Sequence, residues 1–157
     1  MYYRMMGNTG IQVSVLSYGF WATYGVKDRL TGDAGVKSAK ELMRIAREAG
    51  VNCFDHAEAY GNPNGEAERI FGMALKELQS EDDELWRRSE LVITTKIFWG
   101  GPGVNESGLS IKHCREGMDK CGKIAVGLCR HGILSQAGSI HTNCNGRQGH
   151  DRHCPFR

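Results

Sequence analysis

The sequence contains no apolar run near the ~18–20 residues that cross a bilayer. Its opening, Met1-Tyr2-Tyr3-Arg4-Met5-Met6-Gly7, lacks the long apolar core of a secretory signal. Charge of one sign is also missing: 20 Lys and Arg against 18 Asp and Glu leave only +2. That argues against nucleic acid or an anionic membrane as a partner, as the lack of a long apolar run argues against direct membrane insertion. There is no internal repeat, and the six cysteines include no Cys-x2-Cys pair. What remains as the expectation is a soluble, cytoplasmic, globular protein. Its 157 residues, 40% hydrophobic and 24% charged, suffice for one ordinary core and exclude a disordered chain.

The chain nevertheless holds two compositions. Residues 1–120 carry 15 basic and 17 acidic side chains, whereas 121–157 carry five basic residues against Asp151 alone. The same last 37 positions hold four of the six cysteines and four of the six histidines. Such a density invites a zinc reading. However, Cys129-Arg130-His131 and His153-Cys154 lack ligand spacing. A disulfide framework is disfavoured by the absence of an export signal. Beyond the short run Ile124 to Leu128 no period of 2 or 3.6 is sustained, so 121–157 is expected to be a poorly ordered tail.

Before it, strand and helix signals alternate. Ile11 to Leu16 alternates with period two after the turn signal Gly7-Asn8-Thr9-Gly10, which predicts an N-terminal hairpin. That run is expected to continue into a buried strand ending near Gly19-Phe20-Trp21. Val36, Ala39, Leu42, Met43 and Ala46 recur at helical spacing, with Thr31 or Asp33 as cap and Gly50 as stop. Val51 to Asp55 reads as a strand; Ile70, Phe71, Ala74, Leu75 and Leu78 mark a second helix. Leu91 to Phe98 is a strand rich in β-branched residues, and Ser110 to Lys120 begins a third helix. This alternation predicts parallel α/β architecture.

The chemistry-bearing residues fall at the ends of those strands. Asp55 closes one, Tyr60 lies in the loop after it, and Lys96 lies in another. In parallel α/β folds the carboxyl ends of strands converge on one face, where sites form. A free tyrosine titrates near ~10, too high for efficient proton transfer at neutral pH. A neighbouring ammonium stabilises the phenolate, and a carboxylate beside that ammonium holds it in place. Alone, a strand-end Asp is commonly a cap and a loop Tyr a surface residue. A Lys inside an apolar strand is harder to dismiss, because lysine is rarely buried without a partner.

Four segments carry a resemblance: Gly7 to Ser14, Gly19-Phe20-Trp21, Phe54-Asp55-His56-Ala57-Glu58-Ala59-Tyr60, and Trp86 to Gly101 with its Thr94-Thr95-Lys96-Ile97-Phe98-Trp99. In order and spacing, residues 1 to about 120 resemble the aldo-keto reductases, most of all the branch containing the voltage-gated potassium channel β-subunits. The resemblance implies a (β/α)8 TIM barrel that transfers hydride from NADPH to an aldehyde or ketone. It also implies a possible homo-oligomer or channel partner for the full-length form. Members use an Asp-Tyr-Lys-His tetrad, with Asn in the last place in the channel subunits. Asp55, Tyr60 and Lys96 fall on the first three positions. By that resemblance Tyr60 gives the proton, Lys96 lowers its pKa, and Asp55 pairs with Lys96 and contacts the nicotinamide ribose. Phe20 and Trp21 fall beside the nicotinamide, although Thr often stands in the family where Phe20 stands here.

The resemblance stops near residue 120, after about three βα units, and such a barrel needs roughly 250 residues. The expected fourth strand and loop, resembling L-D-Y-V-D-x-V-x-x-H-R-P-D, do not occur as printed. Codons exist for Lys123 to His131 that read, one base later, as R-L-Q-L-D-Y-V-D. Continued through Thr142 they read M-V-F-S-H-R-P-D-P-Y-T-P, with the lost His codon straddling Ser135 and Gln136. The synonymous bases are free, but most first and second bases are fixed by the residues. The expectation is therefore a truncated barrel over 1–120, followed by out-of-frame translation over 121–157 with little or no reductase activity.

Overall fold

The computed structural model describes residues 1–26 and 30–124. Two antiparallel strands, β1 (Tyr3–Met5) and β2 (Gln12–Ser14), form the expected hairpin. Three parallel strands follow in chain order, β3 (Tyr18–Gly19), β4 (Cys53–Asp55) and β5 (Val92–Thr94), with β4 in the middle. Each is succeeded by a helix: α1 (Gly32–Glu48), α2 (Glu66–Glu81) and α3 (Ile111–Ile124). Parallel strands laid down side by side in sequence order, each with its own helix, are how the wall of a barrel grows. None of the helices among the described residues is long and apolar enough to cross a membrane.

The alternating run from Ile11 to Leu16 does not pass unbroken into β3. Ser14 Oγ donates to Leu16 O at 2.6 Å, closing a local bend that assigns β2 and β3 to different sheets. Asn52, just before β4, ties the hairpin to the parallel sheet. Its Oδ1 accepts from Ser14 N–H at 2.9 Å, and its Nδ2 donates to Gln12 O at 3.0 Å.

Helix α1 starts after Thr31, which has the extended backbone of a cap but makes no side-chain cap bond. It ends before Gly50, whose φ of 92° suits glycine and whose carbonyl accepts from Tyr3 Oη. Val36, Ala39 and Met43 are buried as predicted, while Leu42 is largely exposed, one position off the stripe that meets α2. The α2 face is buried throughout: Ile70, Phe71, Ala74, Leu75 and Leu78 pack against Phe20, Phe54 and Trp86. Each large side chain taken from water there stabilises by ~1.5–3 kcal/mol.

Helix α3, expected to begin within Ser110 to Lys120, runs from Ile111 to Ile124. His113, Gly117 and Cys121 lie four apart on one buried face, so the helix continues through Cys121 to Ile124. Gly117 is required there, since a Cβ would meet Ile97 Cγ2 at 2.9 Å. The rest of the expected tail, including Ser135, Gln136 and the zinc and disulfide alternatives, lies outside the described residues.

Candidate active site

The parallel pairing of β4 with β5 sets Asp55 opposite Thr94. Beyond the strand ends the two chains stay stitched together: His56 N–H donates to Thr94 O at 2.9 Å, and Glu58 N–H donates to Lys96 O at 3.1 Å. Period-two alternation then turns Thr94 and Lys96 to the same side as Asp55. Lys96 Nζ donates to both carboxylate oxygens of Asp55 at 2.8 Å and to His56 O at 2.9 Å. Thr94 Oγ1 adds a fourth bond, to Asp55 Oδ1, at 2.7 Å.

Tyr60 stands beside this pair. The Lys96 ammonium lies 5.0 Å from its ring centroid, within reach of a cation–π contact. Burial pulls the Lys96 pKa down, but hydrogen bonds to Asp55 and Tyr60 overcome it and hold the ammonium above the ordinary lysine range. The Tyr60 backbone is fixed at both ends, its N–H donating to Ala57 O and its carbonyl accepting from Ala67 N–H in the first turn of α2. Two close approaches need glycine in this neighbourhood. A Cβ on Gly61 would lie 2.9 Å from Ala67 N, and one on Gly25 would lie 3.2 Å from the same atom.

Trp21 stacks on Tyr60, with ring centroids 6.2 Å apart and planes 18° apart, and is 75% exposed. Phe20, expected beside the nicotinamide, has its side chain in the core. It has no accessible surface, and its ring packs against Tyr24, His56 and Phe71 at 4.2 to 5.3 Å between centroids. Of the two side chains beyond β3, only that of Trp21 offers surface to a ligand. The fourth tetrad position lies outside the described residues. The structure therefore brings together Asp55, Tyr60, Lys96 and Trp21, and turns Phe20 away into the core.

Several residues here went unnoticed in the sequence. His56 is fully buried, and neither ring nitrogen has a hydrogen-bond partner among the described residues. Burial, reinforced by the Lys96 charge and opposed by Asp55, lowers its pKa to about 3, so the ring is neutral. Glu58 and His113 are buried together, and buried Glu68 accepts from Thr95 Oγ1 at 2.6 Å on the opposite side of the strand. Burial raises the Glu68 pKa. The available signal was a glutamate between two alanines in His56-Ala57-Glu58-Ala59-Tyr60, a strand-end loop otherwise made of small or aromatic residues.

Comparison with known proteins agrees with this geometry. The profile of the Aldo/keto reductase family matches residues 15–124. A protein of Arabidopsis thaliana named as a voltage-gated potassium channel subunit beta is 49% identical over 117 residues, covering 74% of this chain and 31% of that relative. The chain thus spans about a third of the length of the curated relatives it matches. Among solved structures, a Pseudomonas aeruginosa protein assigned to the aldo-keto reductases superposes with a TM-score of 0.55 at 27% identity, covering 78% of this chain and 41% of its own. An aldo-keto reductase from Klebsiella pneumoniae, solved in complex with NADPH, gives 0.52 at 18% identity, a likeness of fold, over 74% of this chain and 32% of its own. The three parallel βα units are part of a TIM barrel, and the chain belongs to the aldo/keto reductase family.

Proposed function

We propose that this chain is part of an NADP(H)-dependent oxidoreductase that reduces an aldehyde or ketone, with Asp55, Tyr60 and Lys96 as its proton-donating residues. The observation that carries the reading is the position of Lys96 Nζ, 2.8 Å from both Asp55 oxygens and 5.0 Å from the Tyr60 ring. The Tyr60 hydroxyl gives its proton to the substrate carbonyl oxygen. The Lys96 ammonium stabilises the phenolate left behind, and Asp55 keeps that ammonium charged and in place. The exposed indole of Trp21 offers a flat face for a nicotinamide ring, and the part-exposed Asp55 carboxylate can accept from a ribose hydroxyl. When bound there, NADP(H) supplies the hydride.

The composition break supports a second element of the reading. We infer that the reading frame slips near Cys121, so that the rest of the barrel, with its fourth tetrad residue, is replaced by residues 121–157. The 157-residue chain then turns over little and is poorly soluble, because β5 pairs only with β4 among the described residues and leaves a parallel edge open. Genomic and transcript sequence across the codons for Gly117 to Lys123 tests this. A gained or lost base, with downstream bases that permit the shifted reading, supports it; downstream bases that forbid that reading overturn it. A frame-restored chain is then expected to oxidise NADPH with a simple aldehyde, and absence of turnover would remove the reductase reading.

The identity to the Arabidopsis protein favours one further reading, a cytoplasmic channel-associated subunit, as a homo-oligomer, in which redox chemistry is secondary. Co-purification with the cytoplasmic domain of a potassium channel supports that role, and its failure against a positive control excludes it.

A further inference from the structure

Glu58 sits two residues before Tyr60 and takes no part in the proton transfer described above. Its backbone N–H donates to Lys96 O at 3.1 Å. Its side chain is buried, and Oε1 accepts from Phe98 N–H while facing His113 Nε2 of α3 at 3.3 Å. For the latter contact to be a hydrogen bond, Nε2 must carry the proton. One residue thus grips the chain at the Lys96 carbonyl and again at the Phe98 amide, and a second backs its carboxylate. Gly100 passes close over this pair: a Cβ there would lie 2.5 Å from His113 Cε1 and 3.2 Å from Glu58 Oε2. Asn64 Nδ2 holds the same stretch from outside, donating to Trp99 O and Gly100 O.

A buried carboxylate is costly unless its oxygens are satisfied. Glu58 Oε1 keeps its Phe98 and His113 partners only while the 96–98 segment and the 56–60 loop stay in register. Glu68 provides the contrast, being equally buried but bonded to Thr95, whose side chain points to the face of the strand away from Lys96.

We propose that Glu58 is a positioning residue whose carboxylate, backed by His113, locks the Phe98 amide to the Tyr60 loop and so sets the Lys96 ammonium against the Tyr60 ring. The inference rests on the reductase reading only for what Tyr60 and Lys96 do; the contacts themselves do not depend on it.

The test uses the 157-residue chain at low concentration, with mass-spectrometric readouts. Competitive acetylation across pH gives the titration midpoint of Lys96, and hydrogen exchange gives the protection of the Phe98 amide. Glu58→Ala is expected to lower the Lys96 midpoint and to speed Phe98 exchange about 10- to 100-fold, the range for losing a bond to a charged group. Glu58→Gln keeps an acceptor oxygen and is expected to rescue most of both. Gly100→Ala, which wedges the loop off an intact Glu58, is expected to shift both in the direction of Glu58→Ala. Glu68→Gln serves as the control for loss of a buried carboxylate and leaves the Lys96 midpoint in place.

A Lys96 midpoint unchanged in both Glu58→Ala and Gly100→Ala overturns the proposal, even if the melting temperature falls. Should Glu58→Ala not fold, Gly100→Ala and Glu58→Gln decide. Asp55→Asn must lower the midpoint in the same assay, which shows that the pair forms in solution. Failure of the reductase reading appears elsewhere, as absent NADPH-dependent turnover by the frame-restored chain, and leaves these readouts unaffected.

Discussion

Two of the lysine–carboxylate contacts among the described residues, one on the outer surface and one at the strand ends, differ in their consequences. On the outer surface, Lys40 of α1 bridges Glu77 and Glu81 of α2 at 2.8 and 2.6 Å, and Arg44 joins Glu81. At the strand ends, Lys96 meets Asp55 at the same 2.8 Å. Distance does not separate the two. The outer carboxylates are the more exposed and every outer charge hangs on a long side chain of a helix, where screening and side-chain entropy cancel most of the attraction. The inner pair is held by Thr94 and by the His56 carbonyl, both supplied by paired strands. An ion pair becomes useful for chemistry when the backbone fixes it, since proton transfer requires a set geometry.

The sharpest test of that contrast is Tyr60→Phe, which removes the proton donor and leaves every charge in place. In the frame-restored chain kcat is expected to fall by about 100- to 10,000-fold, measured as NADPH oxidation, with stability nearly unchanged. Retained turnover would show the inner pair to be as inert as the outer one.

His56, beneath the inner pair, supplies the next largest effect. Its pKa is lowered to about 3 in the folded chain, against an ordinary 6.5. The unfolded state therefore binds a proton that the folded state refuses. The stability tied to its neutral form is complete above pH 6.5 and is lost as pH falls toward 3, by an amount on the order of 3 kcal/mol at pH 4. Denaturant midpoints across that range should flatten markedly in His56→Leu.

Asp55→Asn strips the inner lysine of its main partner. Both members are about a third exposed, so after solvent screening the cost at pH 7 is about 1 kcal/mol. Because the folded lysine pKa is raised, that contribution is present below the unfolded value of 10.5 and disappears as pH rises through the folded value. Wild-type and variant unfolding curves should therefore converge at alkaline pH. Smallest of all is Glu81→Gln on the outer surface, for which little change in melting temperature is expected at any salt concentration. A large change there would erase the distinction.

The parts of the fold legible in the sequence were those governed by periodicity. The α2 stripe from Ile70 to Leu78 was legible because burial follows a simple period; the strand expected over Leu91 to Phe98 forms only at Val92–Thr94, so Lys96 lies beyond its end. The division between β2 and β3 was not legible, since alternation persists through the Ser14–Leu16 bend and only a hydrogen bond marks it. The run from Ser110 to Lys120 marked only the beginning of α3, and Gly117 and Cys121, weak helix formers, left its end unmarked. At the site, strand-end positions located Asp55, Tyr60 and Lys96, but side-chain direction was invisible. The burial of the Phe20 ring was therefore not legible, and neither was Glu58, because a buried glutamate is recognised only through the amide and imidazole that face it.

Asn52 has a further consequence. The hairpin of β1 and β2 is attached to the parallel sheet through one amide side chain and one backbone contact with Ser14 Oγ, with no shared ladder between the two sheets. An attachment of that kind behaves as a latch: it can release the hairpin without disturbing the strands behind it. The amides of residues 3–5 and 12–14 should then exchange with solvent as one unit, sooner than those of β4. A residue with no role in the chemistry thus defines the edge of the molecule's most stable body.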